Sequence, residues 1–136
     1  MIYKKISLLF LPMFLLLNVS AQNFIGLHKE DVKKLMRTSN PNFILDEGAV
    51  NKCFRYLKYV DNLGNQTLLY FLSADDVCTS SKMMSDYMYL NETTTRFNKK
   101  YKKTGMYSWV YYDKNQKYAV QLNCEKWFFT VIIKRK

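Results

Sequence analysis

The chain has 136 residues, a formal net charge of +10, 16% aromatic residues, and only 4 Gly and 2 Pro. That composition excludes a disordered or collagen-like chain and fits a sheet-rich globular domain. The basic balance favours anionic partners and carries no information about fold.

The first 21 residues read as an export leader. Lys4 and Lys5 form a basic start, and Ile6 to Leu17 is an apolar run broken only by Ser7 and Pro12. Val19-Ser20-Ala21 then places small residues at a cleavage site. The apolar run is short for a spanning helix, which needs about 20 apolar residues. The first cysteine, Cys53, lies far from the run, which argues against a lipidated leader. The expectation is a signal peptide over 1–21, cleaved near Ala21, and a single α+β domain over 22–136. That domain would be exported to the periplasm or secreted, with no transmembrane segment after cleavage.

A first helix is expected after His28. Val32, Leu35 and Met36 repeat at i, i+3, i+4, acidic Glu30 and Asp31 come first, and Lys33, Lys34 and Arg37 come later. Ser39-Asn40-Pro41 should stop it. Residues 54–60 and 67–73 read as strands flanking a hairpin loop at 61–65. The segment 82–90 mixes helical and strand spacing and is read here as strand.

A second helix is expected from an Asn91 cap, with Leu90, Thr94, Phe97 and Tyr101 on one face and Gly105 ending it. Three strands should follow as a meander carrying Trp109, Val120 and Phe129 side by side on one apolar face. The total is a mostly antiparallel sheet of about five to six strands with two helices. Helix, strands, helix, strands also suggests two similar halves, near 28–90 and 91–134.

The segment Gly26-Leu27-His28-Lys29-Glu30-Asp31-Val32-Lys33-Lys34-Leu35-Met36 resembles a known helix entry. It is similar to that of the small-protein-A outer-membrane-assembly lipoprotein and β-lactamase-inhibitor-like domains. The overall layout also resembles small exported bacterial α+β proteins. The resemblance implies an exported, non-catalytic, protein-binding α+β domain, although the lipidation cysteine of the lipoprotein members is absent.

Catalytic chemistry finds little to use. The one histidine, His28, has no flanking nucleophile motif, and Asp46-Glu47 and Asp75-Asp76 read as turn or cap residues. No catalytic residue, metal ligand or cofactor is expected, and CxxC spacing is absent. Three cysteines in an exported chain allow one internal bridge. Cys53–Cys78 is the expected pair, with Cys124 as a buried spare thiol.

The strongest charge feature runs from Arg96 to Lys103. Arg96, Lys99, Lys100, Lys102 and Lys103 would fan outward from the second helix while Phe97 and Tyr101 pack inward. This patch suits an anionic surface such as lipid, acidic glycan or acidic protein; export argues against nucleic acid as the partner. The leading expectation is an exported, non-catalytic binding or interaction domain. The alternatives are a small secreted hydrolase using an Asp/Glu pair and an anionic-surface binder.

Overall fold

A computed structural model describes residues 23–48 and 53–136, so the leader expected over 1–21 lies outside the described residues. Helix α1 (Lys29–Ser39) forms where the spacing predicts it and buries Val32 and Met36. His28 Nδ1 accepts the Glu30 N–H at 3.2 Å, capping the helix. Glu30 and Asp31 lie at its positive end and Arg37 at its negative end. The Asn40 N–H closes on the Met36 carbonyl, and the next residue, Pro41, has no N–H to continue.

Four strands follow, β1 (Phe43–Leu45), β2 (Tyr56–Asp61), β3 (Gln66–Leu72) and β4 (Cys78–Ser85). In the β2–β3 turn Gly64 adopts φ 72°, and the Asp61 carboxylate accepts N–H groups from Asn65 at 2.7 Å and Gln66 at 3.2 Å. A 3-10 turn over Tyr87–Tyr89, capped by Asp86, leads into α2 (Leu90–Lys100). Then come β5 (Lys102–Gly105), β6 (Ser108–Asp113), β7 (Gln116–Cys124) and β8 (Phe129–Arg135). Lys114 and Asn115, at φ 49° and 64°, form the tight β6–β7 turn that strand twist favours.

All strands join one antiparallel sheet in the order β1-β2-β3-β4-β8-β7-β6-β5. Each half is one helix followed by four strands, and the halves meet at the β4–β8 pair. Among the described residues the α+β class with two helices is as expected, but the sheet has eight strands rather than five to six. The additional strands are β1 and β5, the two edges. Three residues are too few to display alternation, and Lys-Lys-Thr-Gly has no apolar alternation at all. Short, lysine-bearing edges also discourage pairing with other chains.

Segment 82–90 divides: Met83 and Met84 belong to β4, Tyr87 to the 3-10 turn and Leu90 to α2. Asn91 therefore lies inside the first turn of α2, and the capping carboxylate upstream is Asp86. Helix α2 stops at Lys100, where the Tyr101 backbone turns extended at φ −115° and ψ 160°. Gly105 instead ends β5, where a Cβ would stand 2.5 Å from Ser108 Oγ.

The meander register also differs from the simple hairpin. Trp109 does oppose Val120, but Val120 opposes Ile133, and Phe129 opposes Cys124. The β7–β8 turn takes up Trp127, which is 76% exposed, and Glu125 N–H bonds the Phe128 carbonyl to close it. The slip is four residues, an even number, so the apolar face survives intact.

Both helices cover one face of the sheet. That face buries Leu57, Tyr59 and Tyr70 in the first half and Trp109, Val120, Leu122, Phe129 and Val131 in the second. Each such side chain contributes about 1.5–3 kcal/mol. Phe97 of α2 meets Trp109 edge-on at 5.3 Å, and the Trp109 indole N–H donates to Asn98 Oδ1 at 2.9 Å. Tyr101, Tyr111 and Tyr118 stack in a ladder at 4.7 and 5.0 Å. The opposite face carries the tilted Tyr56–Phe71 pair beside Lys58 and Leu69. Among the described residues no helix is long and apolar enough to cross a membrane.

Candidate functional site

The helices pack on separate halves of the sheet, and a cavity of about 140 Å³ lies between them over the central strands. Its floor is apolar, from Leu68 and Tyr70 of β3, Met83 of β4, and Val131 and Ile133 of β8. The gap has a local cause. Ser81, small and half-buried, stands opposite both Tyr70 and Ile133 at the seam of the two halves. A larger side chain there would fill the space the helices leave.

Tyr70 donates its hydroxyl to Met36 Sδ at 3.6 Å, which ties the cavity floor to α1. Burial, followed by the nearby Cys78 and Tyr59, pushes its phenol well above the usual range, so it stays a neutral donor. The polar lining is Asn40, Gln66, Ser81, Lys82 and Arg96.

Arg96 is the unusual member. It lies three residues after Thr93 and directly before Phe97, both buried, so it occupies the flank of the inward stripe of α2. Its Nε is buried and has no hydrogen-bond partner in the protein. Its guanidinium carbon sits 5.6 Å from the Phe97 ring centroid. Among the described residues no carboxylate pairs with it; the ion pairs involve Lys29, Lys33, Arg55 and Lys58 instead. A buried donor left unmatched costs on the order of 1–3 kcal/mol, and more when charged. One turn on, partial burial and then the Arg96 charge hold Lys100 below the usual lysine range.

The five basic residues thus do not share one helical face. Arg96 turns towards the cavity, Lys99 and Lys100 close α2, and Lys102 and Lys103 lie on edge strand β5 opposite Val110 and Trp109. The four lysines are exposed.

Two of the four candidate carboxylates, Asp46 and Asp76, are spent on structure. Asp76, with φ 60°, pairs with Arg55 and with Lys29 at 3.2 Å. The Arg55 hydrogen bond chiefly holds its carboxyl below the usual range. Asp46 pairs with Lys58 at 3.5 Å and caps Gly48 N–H. Glu47 and Asp75 are exposed, and none of the four lines the cavity. His28 is exposed and serves as the helix cap. Among the described residues no three His, Cys, Asp or Glu side chains gather into a metal-binding group.

The expectation for Cys124 needs correction. Among the described residues no two cysteines lie at disulfide distance. Cys78 is the buried thiol and points at the Ser80 carbonyl at 3.6 Å; burial pushes it up to about 11. A bulge after Phe71 pairs Leu72 with Cys78, and the Gly26–Leu27 backbone bonds over it, while Cys53 is exposed. Cys124, expected to be buried, is exposed where β7 enters its turn.

Sequence reasoning did not find the cavity, because it depends on how the two halves meet. The available signal was Arg96, a long cation at the margin of a buried stripe rather than opposite it. No family model matches the chain, and no curated protein or solved structure matches it either.

Proposed function

We propose that this protein is a non-catalytic binding domain whose site is the cavity between α1 and α2, and that it acts as an exported domain after loss of residues 1–21. The observation that carries the reading is Arg96, without a carboxylate partner among the described residues, lining a concavity with an apolar floor. Small-molecule sites combine apolar walls with a few placed polar groups in this way. Binding is favoured over hydrolysis by an Asp/Glu pair because Asp46 and Asp76 are each tied to separate cations.

The test fills the cavity. Ser81→Phe and Met83→Trp should abolish ligand-induced NMR shifts at Leu68, Val131 and Ile133 while the fold, read by circular dichroism, is kept. Unchanged shifts in both folded variants would refute the site. A second reading, docking to an anionic surface, rests on the exposure of Lys99, Lys100, Lys102 and Lys103, none of which pairs with a carboxylate among the described residues.

A further inference from the structure

The geometry points to a small amphipathic monocarboxylate as the ligand: its carboxylate on the Arg96 guanidinium, its apolar body on Leu68, Met83 and Val131. This inference rests on the cavity being a binding site, and it adds the chemical class. Size comes first. A cavity of about 140 Å³ is close to the roughly 150 Å³ apolar cavity known to take benzene. The body of the ligand is therefore about six carbons, as in hexanoate or benzoate.

Charge comes second. Arg96 lines the cavity and pairs with no carboxylate among the described residues, and a guanidinium fork fits a carboxylate with two parallel bonds. Lys100, which already feels the Arg96 charge, would be relieved by an anion at the same place. A neutral ligand of equal shape would fill the apolar space and leave the guanidinium without a carboxylate. A bare inorganic anion would meet the guanidinium and leave the apolar floor empty. Only a molecule carrying both parts satisfies both observations.

The experiment compares probes on the purified protein by calorimetric titration, with the cavity methyl groups followed by NMR. Hexanoate should shift Leu68, Val131 and Ile133 and bind roughly 10- to 100-fold tighter than 1-hexanol, the worth of a charge-assisted hydrogen bond. Inorganic phosphate should not displace hexanoate. Dodecanoate, whose tail overfills the space, should bind no tighter than hexanoate; tenfold tighter binding would overturn the short-acid assignment in favour of a lipid-derived acid. Arg96→Gln should remove the advantage of hexanoate and leave hexanol binding in place, and Arg96→Lys should restore part of it. Equal binding of hexanoate and hexanol to the unaltered protein would overturn the carboxylate assignment while leaving the cavity a binding site. Absence of shifts with every probe would overturn both readings.

Discussion

The bond between Trp109 and Asn98 is the sharpest test of how α2 is held against the sheet. Trp109 is 1% exposed, so its indole N–H has no route to water, and it donates to Asn98 Oδ1 at 2.9 Å. Asn98 itself is exposed and can trade this bond for water. The two partners are therefore unequal. Asn98→Ala strands a buried donor and should cost about 1–3 kcal/mol, several degrees in Tm. Asn98→Asp keeps an acceptor oxygen in place and should stay within about 0.5 kcal/mol of the parent. Urea unfolding followed by Trp fluorescence reads both values. Because Phe97 both packs on Trp109 and lines the cavity, the Asn98→Ala variant should also bind hexanoate more weakly. Equal stabilities for the Ala and Asp variants would refute the reasoning, since the bond would then carry no weight in docking α2.

Three further outcomes are expected. Cys78 has a folded pKa raised from 9.0 to about 11, so its contribution is complete below pH 9 and is lost as pH climbs towards 11, by roughly 2–3 kcal/mol. Tyr70 and Tyr111, also raised by burial, extend the loss upward from pH 10; Cys78→Ala should flatten the pH 9–10 portion of a denaturation series, and an unchanged slope would contradict the assignment. Gly105→Ala should cost about 1 kcal/mol, because the new Cβ drives the Ser108 hydroxyl from its bond to Thr104 at 3.2 Å. Replacing Lys99, Lys100, Lys102 and Lys103 together by Gln should reduce salt-sensitive adsorption to phosphatidylserine vesicles at least tenfold, given about 1 kcal/mol per cation near such a surface; equal adsorption would remove the surface-docking reading.

The clearest elements in the sequence were those stabilised within themselves. Helix α1 carries its own cap, charge order and apolar stripe, and β2, β3, β6 and β7 carry alternation bounded by turn residues. Such signals are local, and local signals are legible. Edge strand β5 was hidden because Lys102 and Lys103 resemble a continuing basic helix, and only pairing with Val110 and Trp109 makes them strand. The β7–β8 register was missed by four residues because a turn length cannot be read from Glu125 to Phe128 alone, whereas the face of Phe129 could, since parity is independent of loop size. Cys124 keeps the apolar parity of Val120 and Leu122 and pairs with Phe129, yet it is exposed because β7 ends there and no element among the described residues covers it.

By itself, then, the amino-acid order determined the antiparallel α+β class, the two helices, the apolar parity of the strands and the excess of basic charge. These follow from periodicity, capping and composition, which act over a few residues. Tertiary structure alone decided that the two halves meet at β4 and β8, that the seam is left open beside Ser81, and that Arg96 turns away from its neighbouring lysines into that opening. The reason is that a cavity belongs to no segment: it is what remains when Tyr70, Ile133 and Phe97, far apart along the chain, are brought together by a sheet whose pairing is long-range.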